Sequence, residues 1–94
     1  MATKREQTTF KPASTVSVAY TGTAGVTSAI NSYVDVVRIL VTTDAFVKFN
    51  GTATTSDMLV KANIAEYFSV DGGTTVSAIQ SASGGTLYVT EMTQ

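Results

Sequence analysis

Hydrophobic and polar positions alternate along most of this chain, and the pattern is densest at Val34 to Phe49, VDVVRILVTTDAFVKF. Residues 34 to 42 set Val34, Val36, Arg38, Leu40 and Thr42 on one side and Asp35, Val37, Ile39 and Val41 on the other, the two-residue period of a β-strand. Both sides are largely apolar, which predicts a strand buried on both faces. Ala45 to Phe49 alternates again, and Thr43-Asp44 is placed to join the two strands as a tight connection within one sheet.

The same period predicts the other elements. Ser14 to Tyr20 is a strand, with Val16, Val18 and Tyr20 on one face, and Thr21 to Gly25 breaks it. Val26 to Tyr33 fits a short strand or a helical turn, the strand being favoured. Asn50-Gly51 carries the signature of a type I′ turn, whose two central residues both need positive φ. Thr52 to Asp57 is a loop or an edge, Met58 to Val60 a short strand, and Ile64 to Val70 a strand ended by Asp71-Gly72-Gly73. Thr75 to Gln80 and Thr86 to Met92 flank a glycine-containing loop as a C-terminal hairpin. No stretch has a helical period. The expected fold is all-β, a small antiparallel β-sandwich or barrel of about seven strands over residues 14 to 94, preceded by an extended N-terminal arm over residues 1 to 13.

Composition narrows the function classes. A chain of 94 residues and 9.8 kDa forms one domain with a thin core, the size at which disulfides, metals or partner subunits commonly add stability. Cys and His are both absent, so disulfides and zinc held by thiolate or imidazole are excluded and a homo-oligomer is the remaining route. A formal net charge of −1 offers no field to attract nucleic acid or an anionic membrane. The longest apolar run, Val36 to Val41, is interrupted by Arg38 and is too short for a membrane helix, and residues 1 to 15 lack the apolar segment of a secretory leader.

Candidate chemistry is sparse. Asp35, Asp44, Asp57, Glu66, Asp71 and Glu91 are scattered over different elements with no dyad spacing, and the commonest general base and strongest nucleophile are missing, so no enzyme is expected. Asp71-Gly72-Gly73 lacks the further ligands of a calcium loop, and Gly22 to Gly25 lacks the lysine and helix of a phosphate loop, so no cofactor is expected. Seven residues remain as candidates for a protein interface. Lys4, Arg5 and Lys11, with Phe10, could order the arm against an acidic neighbour, unless the arm is a solvated tail. Arg38, in mid-strand, must either snorkel, pair internally or reach a partner subunit. Tyr67 and Tyr88 stand among polar neighbours, as interface tyrosines and rim tyrosines both do.

VRILVTTDAFVKFNG at 37 to 51, ATTSDM at 53 to 58, AEYFSV at 65 to 70 and SGGTLYVTEM at 83 to 92 resemble a group of small proteins encoded among the virion structural genes of short-tailed bacteriophages. The resemblance implies a non-enzymatic virion component made in the host cytoplasm. The favoured form is a decoration or cement protein on the capsid surface that binds the major capsid protein, as a trimer. A head-to-tail junction or tail accessory protein, or a β module binding host or glycan, is the alternative. No interface motif of the group maps onto this chain.

Overall fold

The computed structural model describes residues 10 to 93, and all regular structure among them is β. Eight strands run in order: β1 (Lys11–Tyr20), β2 (Gly25–Val26), β3 (Val36–Val41), β4 (Ala45–Phe49), β5 (Met58–Val60), β6 (Glu66–Ser69), β7 (Val76–Gln80) and β8 (Gly85–Thr93). They form two four-stranded antiparallel sheets, ordered β1-β8-β3-β6 and β2-β7-β4-β5. β1 and β2, β7 and β8, β3 and β4, and β5 and β6 hold matching places in the two sheets, and only β4 and β5 are consecutive strands of one sheet. That is the double Greek key of a jelly roll.

This topology corrects both hairpins expected from the sequence. β3 and β4 lie in different sheets, and so do β7 and β8. The reason is one of reach. The connection from Val41 to Ala45 is as long as the roughly 10 Å gap between packed sheets, so it can cross the sandwich as readily as reverse a strand. Alternation is the same in both cases. At the crossing, threonine hydroxyls continue the bonding where the ladder stops: Thr86 N–H donates to Thr42 Oγ1 at 2.9 Å, and Thr43 Oγ1 donates to the Ser83 carbonyl at 2.9 Å.

Three other expectations change. Asn50 has φ of 58°, but Gly51 is not in the left-handed region, and the chain runs on to Met58 as a wide loop instead of a type I′ turn. That loop lays Ala53 over the second sheet, where its N–H donates to Ser77 Oγ at 2.9 Å and Ser77 Oγ donates to the Gly25 carbonyl at 2.9 Å. Of Val26 to Tyr33, only Val26 is in a strand; the remainder belongs to an irregular connection, running on to Asp35, whose buried residues include Ile30 and Val34. The first strand starts at Lys11 instead of Ser14, with a break in register between Pro12 and Thr15. Residues 1 to 9 of the expected arm lie outside the described residues.

The core sits between the sheets. Val37, Ile39 and Val41 of β3 and Leu87 and Val89 of β8 meet Ala45, Val47, Val60, Val76 and Ala78 of the second sheet, all essentially solvent-free. Phe49 and Phe68 pack at 5.4 Å between ring centroids across its margin. The opposite face of β3 (Val36, Arg38 and Leu40) is only half-buried, so the strand is covered fully on one side and not on two.

Candidate interaction surface

The outer face of the first sheet carries the side chains that the core does not use. Its register sets them in rows across four strands. Tyr67 of β6 is the direct partner of Arg38 on β3, which faces Thr90 on β8, which faces Thr15 on β1. One row nearer the β3–β4 crossing, Leu40 faces Tyr88 and Tyr88 faces Ser17. One row the other way, Ser69, Val36, Met92 and Pro12 align. Three of the interface candidates, Arg38, Tyr67 and Tyr88, thus share one patch although they lie up to 50 positions apart in sequence.

Tyr67 and Tyr88 are 56% and 38% exposed, while Arg38 is half-buried among neighbours on both sides. No carboxylate lies within salt-bridge distance of Arg38 among the described residues. Its guanidinium has five donors to offer. Thr15 and Thr90 share a hydrogen bond between their hydroxyls at 2.9 Å, closing the β1 side of the same row.

Beyond the Val36–Met92 row the face ends in an open hollow of about 450 Å³, lined by Phe10, Tyr33, Asp35, Val36, Met92 and Thr93. Phe10 was a sequence candidate; Tyr33 and Asp35 were not. Tyr33 is 70% exposed, the most exposed large apolar side chain among the described residues. Lys11, the candidate beside Phe10, is exposed at the start of β1 opposite Thr93. Lys4 and Arg5 lie outside the described residues.

The connection that carries Tyr33 and Asp35 is held from three sides. Glu91, 3% exposed, accepts hydrogen bonds from the Asn31 backbone N–H at 2.9 Å, the Asn31 amide at 2.9 and 3.1 Å, and the Ser14 hydroxyl at 2.8 Å. Burial by itself raises the Glu91 pKa, but these donors outweigh it and hold the carboxyl below its ordinary value of 4.5. Ile30 exchanges backbone bonds with the β6–β7 connection, its N–H donating to Thr74 and its carbonyl accepting from Gly73. Gly72 approaches so closely that a Cβ there would lie 2.0 Å from the Ser32 carbonyl oxygen, so any other residue would push the connection away. Tyr33 and Asp35 therefore stand on a braced segment.

Among the described residues no three acidic, His or Cys side chains gather as metal ligands, and no helix is long and apolar enough to cross a membrane. No protein family, curated protein or solved structure is found to match the chain.

Proposed function

We propose that the protein is a non-enzymatic structural component of a virion that docks onto a larger protein shell through the outer face of its first sheet, as a capsid decoration or cement protein. The observation that carries the reading is the convergence of Tyr67, Arg38 and Tyr88 on one rigid face, since Tyr and Arg are the residues most enriched at interface centres. The virion setting rests on the sequence resemblance. The jelly roll adds a fold-level analogy, because viral capsid domains use it, though lectin domains do so too. The partner on this reading is the major capsid protein, with a trimer of this chain as the docking unit.

The test is binding to capsids stripped of this protein. Arg38→Ala and Tyr67→Ala should each weaken binding at least several-fold, as truncation of an interface anchor does, while the circular dichroism spectrum stays that of a β protein. Full binding by the double variant, or a protein absent from purified virions, would sink the proposal; binding to glycans in its place would move it to the lectin class.

A further inference from the structure

The hollow at the end of the first sheet has a composition with a specific chemical reading. Two aromatic rings, Phe10 and Tyr33, a thioether, Met92, and a carboxylate, Asp35, line one open space. Aromatic faces attract cations, a carboxylate does so more strongly, and an apolar floor suits a methylene chain. These are the three requirements of a long basic side chain. The Asp35 carboxylate has no hydrogen-bond or ion-pair partner among the described residues, only its backbone carbonyl being engaged, by Val70 N–H at 2.9 Å. Lys11, opposite Thr93 in register, is the nearest basic residue in the β1–β8 ladder, and it forms no ion pair with Asp35.

We propose that this hollow is a socket for a lysine or arginine side chain presented by a partner protein. A protein source is favoured over a free amine because the hollow is continuous with the Tyr67–Arg38–Tyr88 face through Val36 and Met92, which belong to both. In that respect the socket rests on the docking role proposed for that face. The volume, about 450 Å³, is ample for one side chain and its flanking backbone. The segment carrying Tyr33 and Asp35 is braced by Glu91 and by the Gly72 contact, so the site is formed before the guest arrives. The face and its end are then complementary: the face offers its own cation, Arg38, and the socket receives one.

The experiment titrates the intact ¹⁵N-labelled chain with the blocked tripeptide Ac-Gly-Lys-Gly-NH₂ and with its norleucine counterpart, following amide shifts. The lysine peptide should give saturable shifts at Tyr33, Asp35, Val36 and Thr93, weaker at high salt, and norleucine should give markedly smaller ones. Asp35→Asn and Tyr33→Ala, both at exposed positions that leave the core untouched, should each weaken lysine-peptide binding by roughly 2- to 30-fold. Absence of saturable shifts overturns the socket, as does equal binding of norleucine or an unchanged affinity in Asp35→Asn. None of those results touches capsid binding through Arg38 and Tyr67, so the two proposals fail separately.

Discussion

The two ends of the sandwich are closed by different chemistry. Where β1 leads to β2, β3 to β4, and β7 to β8, the crossings meet around Tyr20, whose buried hydroxyl donates to the Thr43 carbonyl at 2.6 Å and accepts the Thr43 N–H at 3.2 Å. The groups that bond to the Tyr20 hydroxyl are all neutral, and the charged pair at that end, Asp44 and Lys61, is exposed. At the other end, where β2 leads to β3 and β6 to β7, the hub is the ionised Glu91, which gathers Ser14 and Asn31 and carries the hollow on its far side. A tyrosine hydroxyl closes a corner at any ordinary pH. A buried carboxylate holds more donors at once but must stay charged to do so. The end that carries the candidate site is therefore the one whose buried hub depends on ionisation.

The comparison can be broken most directly at Glu91. Glu91→Ala leaves the Asn31 N–H and amide without their acceptor and should cost about 2–4 kcal/mol in urea unfolding, with the amide signals of residues 31 to 35 most disturbed. Tyr20→Phe removes one hydroxyl from a filled site and should cost about 1–2 kcal/mol, with the disturbance confined to the opposite end. A Tyr20→Phe loss larger than that of Glu91→Ala would reverse the ranking of the ends.

Acid separates them further. Glu91 is held below its ordinary value of 4.5 in the folded chain, so its contribution is fully present above that pH and is lost as pH falls through the lower folded value. Glu91→Gln should flatten the acid limb of the stability curve, while Tyr20→Phe should shift the whole curve down without changing its shape. Equal acid limbs in wild type and Glu91→Gln would remove the carboxylate from the account.

The smallest effect is expected at Lys61. Its Nζ lies 3.0 Å from Asp44 Oδ2 at the Tyr20 end, but the pair is exposed, and Asp44 keeps its main bond, from the Ala62 N–H at 2.8 Å. That backbone donor comes first, and Lys61 second, in holding the Asp44 carboxyl below its ordinary value of 3.8. Lys61→Gln should leave the unfolding midpoint unchanged within error, as exposed ion pairs usually do.

What the sequence disclosed follows the same division between local pattern and long-range arrangement. The strands could be read because alternation is written into consecutive residues, as in Val37, Ile39 and Val41. The pairing of strands could not, since a crossing such as Thr42 to Asp44 looks like a hairpin turn when only its length and residue types are known. Arg38 could be picked out as a charge on an apolar strand, and Tyr67 and Tyr88 as tyrosines among polar neighbours; their meeting depends on β3 lying between β6 and β8. Glu91 was indistinguishable from five other scattered carboxylates, because its partners are 60 and 77 positions away. Tyr33 and Asp35 were hidden by assigning them to strands, Val26 to Tyr33 and residues 34 to 42, whereas β3 begins only at Val36.

The pairing of β1 with β8 has a mechanical consequence. Lys11 and Thr93 are register partners, so the described chain enters and leaves the fold side by side, at the Glu91 end. A pull applied between those two points loads the β1–β8 ladder one hydrogen bond at a time, as a zipper, and meets far less resistance than a pull that shears all its bonds together. A load passing from the outer face of the first sheet into a partner would instead be shared across four strands. With this connectivity the weak direction is along the chain's own ends, at the β1–β8 ladder.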